Sequence, residues 1–360
     1  MQQNNSFNTK ISLYSFILTV LVIWIHAVDP GFQAGMDNLS GMDTAVREIL
    51  GSRLGQLAVP GFFCMSGYLF FRSIPANAEG ERAENSGLRD FFISKWKSRI
   101  RSILIPYVIW NTLYYLIYIL FGKTALDTEN FLAAIVYYKF NPVFWYLHEL
   151  ILITIAAPLI YIVLKDRRAA VLSLLLIFLA AVYYVKLPFH PVNEDALFYY
   201  MSGAALSIHL KEKENSKEAQ KWLFAVGLIA FVICEGIYMG GSIKWYMYGI
   251  IGGRISGTLA LFALSGIIID ELEGDGDSRK VIRLPAFTKC NFFIYAIHYL
   301  EIRFFRMAAN AAFGGKVPDE AGAVLYILMP LLCIALGAAA AELMKKYVPG
   351  PYSFLTGGRG

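Results

Sequence analysis

Ten apolar runs, most of them long enough to cross a bilayer as a helix, recur from one end of the 360-residue chain to the other. A helix needs about 20 predominantly apolar residues to span the roughly 30 Å of hydrocarbon in a membrane. The runs are too long and too uniformly apolar for the alternating strands of a transmembrane barrel. The sequence therefore predicts an all-α fold, a polytopic membrane helical bundle with about ten transmembrane helices surrounded by lipid.

Composition agrees with this prediction, because 57% of the residues are hydrophobic and only 16% are charged. No segment of the size of a soluble domain remains once the spans are assigned, so we expect one membrane domain over residues 1–360. The spans are predicted at residues 11–28, 55–71, 103–121, 143–164, 169–185, 197–210, 222–239, 246–269, 287–305 and 322–344.

The Lys and Arg residues predict the orientation, since positive charge is retained on the cytoplasmic side of a membrane. With the N-terminus inside, 22 of the 32 Lys and Arg residues fall on the cytoplasmic side, whereas Arg254, Arg303 and Arg306 belong to the smaller outer set. Both termini are therefore predicted to be cytoplasmic, in a multi-pass protein of the cell membrane. This bias also explains the net charge of +5, and without a stripe of basic and aromatic residues we expect no nucleic-acid partner.

The four cysteines fall within or at the edge of the apolar spans, without a CxxC pair or a Cys/His ligand spacing. We interpret Cys64, Cys234, Cys290 and Cys333 as small buried hydrophobic residues. No metal centre is expected.

His26, at the end of the first span, is the first candidate catalytic residue. An ionisable side chain within a span costs on the order of 2.5–3.5 kcal/mol, so each one needs a partner, a wet cavity or a function. An imidazole can act as a general base on a hydroxyl group at neutral pH. The alternative is an interfacial histidine that caps a helix near the lipid headgroups.

His298 and Glu301 form a second candidate pair within the ninth span. Residues three apart share one face of a helix, so the Glu301 carboxylate is in a position to fix the tautomer of the imidazole. A polar contact between helices is the alternative interpretation.

Four cations precede the third span, at Lys95, Lys97, Arg99 and Arg101. Positive-inside topology alone accounts for such a cluster. The sharper hypothesis is a binding site for phosphate groups that arrive from the cytosol, because guanidinium groups bind phosphate through two parallel hydrogen bonds.

Several segments together resemble the acyltransferase-3 family of membrane O-acyltransferases, and the resemblance covers nearly the whole chain. It rests on the first span ending in His26, on VPGFFCMSGYL at residues 59–69, and on Arg99-Ile100-Arg101 ahead of Ile-Pro-Tyr at 105–107. It continues through Phe-Trp-Tyr-Leu at 144–147, Gly-Ala at 203–204, the run at 292–298 and Leu-Thr-Gly-Gly at 355–358.

The resemblance implies a ten-helix bundle in which His26 deprotonates an acceptor hydroxyl that then attacks acetyl-CoA or another acyl-CoA. It further implies that acyl-CoA comes from the cytosol, that Lys97, Arg99 and Arg101 hold its phosphates, and that the acceptor is a cell-envelope glycan or another hydroxyl compound. Two positions depart from the family's pattern: Ser15 stands where many members have Arg or Lys, and His148 where Arg is common.

A transporter for a small polar solute is the alternative function, without covalent chemistry. Glu235 with Arg254, interpreted as an ion pair, and His298 with Glu301 would then line its pathway. Against this alternative, no symmetric pair of spans broken by Gly or Pro is present.

Overall fold

The structure, a computed structural model, describes residues 2–27, 45–74, 81–183, 193–210, 216–242, 245–274, 282–315 and 317–359. Within these ranges every regular element is helical and no strand occurs, so the all-α prediction is confirmed. The predicted span ends at Val28 and Val185 lie outside the described residues.

Fourteen α-helices occur in the described ranges. They are α1 Gln2–Ala27, α2 Ala58–Phe71, α3 Glu81–Arg99, α4 Ile105–Leu120, α5 Thr128–Val136, α6 Trp145–Ile155, α7 Ala157–Leu164, α8 Arg167–Val182, α9 Glu194–Leu210, α10 Lys217–Met239, α11 Tyr246–Glu273, α12 Asn291–Ala312, α13 Asp319–Tyr347 and α14 Pro349–Thr356. Short π-helical turns at Glu48–Leu54 and Ile100–Leu104 precede α2 and α4, and 3₁₀ turns at Pro142–Phe144 and Ala286–Cys290 precede α6 and α12.

Six helical stretches in the described residues are long and apolar enough to cross a membrane, namely Ser6–Ala27, Ala45–Phe71, Gly87–Leu120, Lys217–Met239, Tyr246–Glu273 and Glu320–Tyr347. Their apolar side chains face outward in a way that water would not tolerate. On α10, for example, Val226, Ile229 and Val232 are each 58–61% exposed. Apolar surface of this kind marks a membrane or protein interaction site rather than a surface in contact with water.

A seventh candidate span consists of two helices that meet at a bend. The stretch Pro142–Ile155 continues as Ala157–Leu164 after a turn of 64°. Pro158 lies in the first turn of the second helix and supplies no backbone N–H, which explains why one straight helix does not form. The predicted span at residues 143–164 thus coincides with a pair of helices joined by a bend.

Each of the ten predicted spans coincides with a helix or with this bent pair. Three of the predicted spans match helices that are outside the six apolar stretches and the bent pair. These are α8 and α9, which are only 16 and 17 residues long, and α12, whose 22 residues include the charged Glu301, Arg303 and Arg306. Three points stay predictions: that the chain has ten spans, that residues 1–360 form a single domain, and that both termini are cytoplasmic.

The chain divides into two compact units, Met1–Val59 with Glu271–Gly360 and Pro60–Asp270. In the first unit, α1, α12 and α13 pack against one another in all three pairings. Leu18 and Ile23 of α1 are fully buried in this core, and the rings of Phe16 and Phe287 lie 5.3 Å apart.

In the second unit, α2 and α9 approach so closely that their main chains are in contact. A Cβ atom added at Gly203 would lie 1.8 Å from the carbonyl oxygen of Cys64, and one added at Gly67 would lie 2.1 Å from that of Tyr200. Both distances are far below the 3.0 Å that real Cβ atoms keep. Glycine is therefore required on both helices at this crossing.

Gly203→Ala is expected to lower the free energy of unfolding by about 1–3 kcal/mol, because the added methyl group forces the two main chains apart. Gly236→Ala on α10 is the matched control, since nothing in the described residues lies within 4 Å of a Cβ atom there; it should change stability by less than about 1 kcal/mol. Thermal unfolding in detergent measures both variants. Equal melting temperatures for the two would contradict the close crossing.

Candidate functional site

His26 on α1 and His298 on α12 lie side by side in the first unit. Their ring centroids are 5.4 Å apart, with the ring planes inclined by 45°. The ring of Tyr299 packs edge-on against His26 at 6.4 Å. Two histidines that are 272 positions apart in the sequence therefore form one cluster, whereas no local sequence pattern connects them.

The hydrogen bonding of His298 defines which of its nitrogens carries a proton. Nδ1 contacts the carbonyl oxygen of Tyr295 at 2.5 Å, and because a carbonyl oxygen can only accept, Nδ1 is the donor. In the neutral ring Nε2 then carries the lone pair. Nε2 is fully buried and has no hydrogen-bond partner within the part of the chain that the structure describes, so it is a buried acceptor in the histidine cluster.

The expected contact between Glu301 and the His298 imidazole is replaced by this bond to Tyr295. Because side chains on a helix lean toward its N-terminus, the His298 ring reaches the carbonyl group three residues before it. Glu301 instead contacts the thiol of Cys333 on α13. Its carboxyl group is buried, close to Gly337, where a Cβ atom would lie 3.6 Å from Oε1.

The C-terminal end of α1 is held by side chains from two other helices of the same unit. Arg306 of α12 donates from Nη2 to the carbonyl oxygen of Ala27 and, at 3.5 Å, to that of His26. The Tyr326 hydroxyl of α13 donates to the carbonyl oxygen of Trp24 at 3.2 Å. These bonds satisfy carbonyl groups that have no partner inside α1 and fix the backbone that carries the His26 side chain.

A cavity of about 60 Å³ adjoins this helix end. Ala27, Arg306 and Tyr326 line it, and so does Arg47, which comes from the helical stretch ahead of α2. The guanidinium group of Arg47 stacks on the Tyr326 ring, 4.8 Å from its centroid. The volume is enough for a few water molecules or one small charged group.

The predicted phosphate ligands lie in the second unit, on the continuous helical stretch Gly87–Leu120. At 34 residues this stretch is roughly 50 Å long, well beyond the hydrocarbon thickness, so part of it extends out of the membrane. Lys97 and Arg101 are exposed. Arg99 instead packs over the ring of Phe70, at 5.8 Å, so the three cations do not all face the same way.

The acyltransferase domain family matches residues 16–341. The chain belongs to the acyltransferase-3 family. The matched range contains all six predicted site residues of this acyltransferase-3 protein but not the closing residues 355–358. Together with the membrane-spanning helices, it identifies the chain as a multi-pass membrane protein of an acyltransferase family and favours transferase activity over solute transport.

A relative of this acyltransferase-3 chain is the succinoglycan biosynthesis protein ExoH of Rhizobium meliloti (strain 1021). The two sequences are 24% identical over 375 residues, which cover 98% of this chain and 92% of the relative. No solved structure matches the chain.

Other predictions concern polar residues away from the histidine cluster. Arg254 forms an ion pair with Asp195 at 3.7 Å, a partner that the sequence analysis did not name, and its pairing with Glu235 stays a prediction. His148 lies between two aromatic rings, 6.2 Å from Tyr107 and 5.6 Å from Tyr138.

The cysteine prediction is confirmed for Cys64, Cys290 and Cys333, which are free and buried. Cys234 is free but only partly buried, because it lies on the lipid-exposed α10.

Arg306→Gln is expected to destabilise this acyltransferase-3 protein by about 1.5–3 kcal/mol, the range for hydrogen bonds to a charged group. The matched control is Arg303→Gln, one turn earlier on the same helix, where the side chain is exposed and packs over Tyr299. Its loss should cost less than about 1 kcal/mol. Thermal unfolding in detergent compares the two, and a control that melts as early as Arg306→Gln would contradict the role of Arg306 at the end of α1.

Proposed function

We propose that this protein is an O-acyltransferase of the cell membrane that moves an acetyl or other acyl group from acyl-CoA to a hydroxyl group of a cell-envelope carbohydrate. The observation that carries the proposal is the pair of neighbouring imidazoles, His26 and His298, in a chain of the acyltransferase-3 family. The name of the relative, a succinoglycan biosynthesis protein, supports a polysaccharide as the acceptor.

In the proposed reaction, His26 accepts the proton of the acceptor hydroxyl while the hydroxyl oxygen attacks the carbonyl carbon of the thioester. A carbon–oxygen bond forms and the carbon–sulfur bond breaks. CoA leaves as a thiolate, which takes up the proton from the His26 imidazolium. The products are the acylated acceptor and CoA with its thiol restored.

His298 and Glu301 are the proposed accessory pair. The buried Nε2 of His298 is a hydrogen-bond acceptor on a ring whose centroid lies 5.4 Å from that of His26, which suits the orientation of an incoming hydroxyl group. Glu301 lies one turn further along α12 and contacts Cys333. We assign Glu301 a positioning role, in which its contact with Cys333 helps to hold the part of α12 that carries His298.

Lys97, Arg99 and Arg101 are the proposed ligands of the CoA phosphates. Lys97 and Arg101 are exposed and therefore accessible to a soluble donor, and all three belong to a helix that extends beyond the hydrocarbon. The positive-inside rule favours the cytosolic side for this end of the helix, which is the compartment that supplies acyl-CoA. The phosphate groups and the cations are complementary in charge.

His26→Ala should reduce acyl transfer by about 10²–10⁴-fold, the usual contribution of a general base. Slow hydrolysis of acetyl-CoA to free CoA is the assay that needs no known acceptor, and it is followed by thiol release from purified protein. His209→Ala is the matched control, since His209 bonds the carbonyl oxygen of Leu164 in the second unit; it should retain full turnover. A fully active His26→Ala protein would refute the assignment of the base.

Arg99→Ala/Arg101→Ala should weaken acetyl-CoA binding by about tenfold or more, because two charge-assisted contacts to phosphate are lost. Arg167→Ala/Arg168→Ala, a pair of exposed arginines at the start of α8, is the matched control and should bind as wild type does. Calorimetric titration with acetyl-CoA measures the affinity. His26→Ala should bind normally, so a loss in that variant rather than in Arg99→Ala/Arg101→Ala would contradict the division of roles.

A further inference from the structure

Two buried hydroxyl groups in the second unit make no hydrogen bond within the described ranges. They belong to Thr154, near the end of α6, and to Tyr200 on α9, which are 4% and 0% exposed. The two hydroxyl groups are neighbours, but they do not bond each other with acceptable geometry. Burying a hydroxyl group without a partner destabilises a fold, so each such group needs an explanation.

Hydroxyl groups nearby in the same unit do have partners. Thr112 donates to the carbonyl oxygen four residues earlier in its helix, at 2.9 Å, which is a common bond for threonine in a helix. Thr154 also lies in a helix, yet its hydroxyl does not make this bond. The Tyr146 hydroxyl, which interacts with that of Tyr200, shares a hydrogen bond of 3.1 Å with Ser66. Thr154 and Tyr200 therefore keep donors and acceptors that a ligand can use.

Arg99 is the cation next to this pair of hydroxyl groups. Its guanidinium group interacts electrostatically with Tyr200 and packs over the ring of Phe70. Arg99 is half-buried, whereas Lys97 and Arg101 on either side of it in the sequence are exposed. Arg99 thus links the exposed part of the proposed phosphate site to the buried hydroxyl groups.

The surroundings of the two hydroxyl groups are largely aromatic. Trp96 of α3 donates from Nε1 to the carbonyl oxygen of Thr154 at 2.9 Å, just before the bend between α6 and α7. The ring of Phe71 lies 6.3 Å from that of Tyr200 and stacks on that of Tyr161 at 6.4 Å. Aromatic walls with a few placed polar groups are typical of sites for small molecules and cofactors.

We propose that Thr154 and Tyr200 bind the amide groups of the pantetheine arm of acyl-CoA, beside the phosphates that Arg99 holds. The inference rests on the proposed acyltransferase function and extends its donor site. A hydroxyl group donates to an amide carbonyl and accepts from an amide N–H, so two hydroxyl groups suit this neutral arm. The amides follow the diphosphate along the donor, as the buried hydroxyl groups follow Arg99 into the fold.

Calorimetric titration of the full-length protein with acetyl-CoA and with ADP tests the proposal. ADP carries the adenosine and diphosphate of the donor but not the pantetheine arm. Tyr200→Phe and Thr154→Val, which remove only a hydroxyl group, should each weaken acetyl-CoA binding by about threefold to tenfold, the effect of one lost hydrogen bond. Both variants should bind ADP as wild type does, whereas Arg99→Ala should bind both ligands more weakly.

Tyr199→Phe is the matched control. Tyr199 is the adjacent residue of α9 and is also buried, but its hydroxyl interacts with Arg254 instead of Arg99. The control should bind both ligands as wild type does. If it weakens acetyl-CoA binding as much as Tyr200→Phe does, the effect does not come from the proposed site and the proposal is wrong.

Thermal unfolding without ligand provides a readout of the folded state. Tyr200→Phe and Thr154→Val should melt at the wild-type temperature or above it, because each removes a buried polar group that has no partner in the free protein. A melting temperature well below that of wild type would contradict the premise that these hydroxyl groups are reserved for a ligand.

The outcomes separate this site from the proposed function. If wild type binds acetyl-CoA and the two hydroxyl variants bind it equally well, only the pantetheine assignment is wrong. If the variants lose affinity for ADP to the same extent, the hydroxyl groups serve the phosphates, and the assignment to the amides is again wrong. If wild type binds neither ligand, the acyl-CoA donor itself is wrong and the pantetheine site is rejected with it.

Discussion

The carbonyl groups at the C-terminal end of α1 require hydrogen-bond donors, because a peptide group without a partner is costly in a low-dielectric interior. Arg306 and Tyr326 supply these donors from α12 and α13. The same bonds fix the turn that carries His26 and hold α12 close to it, so that the His26 ring lies beside the His298 ring. They also orient one wall of the cavity. The arrangement of the first unit thus depends on how a single helix end is satisfied.

Apolar run length was sufficient to predict where the helices lie, because crossing a bilayer demands both length and internal hydrogen bonding. Each predicted span coincides with a helix or with the bent pair. The second span, however, was predicted from residue 55, whereas the helical stretch begins at Ala45. Glu48 and Arg53 interrupt the apolar run there and form an ion pair at 2.8 Å. Hydropathy alone therefore places the start of this helical stretch too late in the sequence.

Because the predicted span does not extend to Arg47, the sequence analysis does not include this residue among the ionisable residues of the spans and does not predict the cavity that it lines. The sequence alone identifies His26, His298 and Glu301 as candidates, because an ionisable side chain within an apolar run can be recognised without knowledge of its neighbours in the fold. Their partners were not predictable in the same way. The bond of His298 to Tyr295 and that of Arg306 to a residue 279 positions away depend on side-chain direction and helix packing, which one sequence does not encode in any local pattern.

The crossing of α2 and α9 has a different kind of consequence. Where two helices meet through side chains, their separation varies with the rotamers that those side chains occupy. At Gly67 and Gly203 the nearest atoms belong to the main chains themselves, so the interaxial distance there is set by van der Waals contact between the two main chains. This point of the second unit therefore has no rotameric freedom through which heat or a change of lipid can alter the spacing between the two helices.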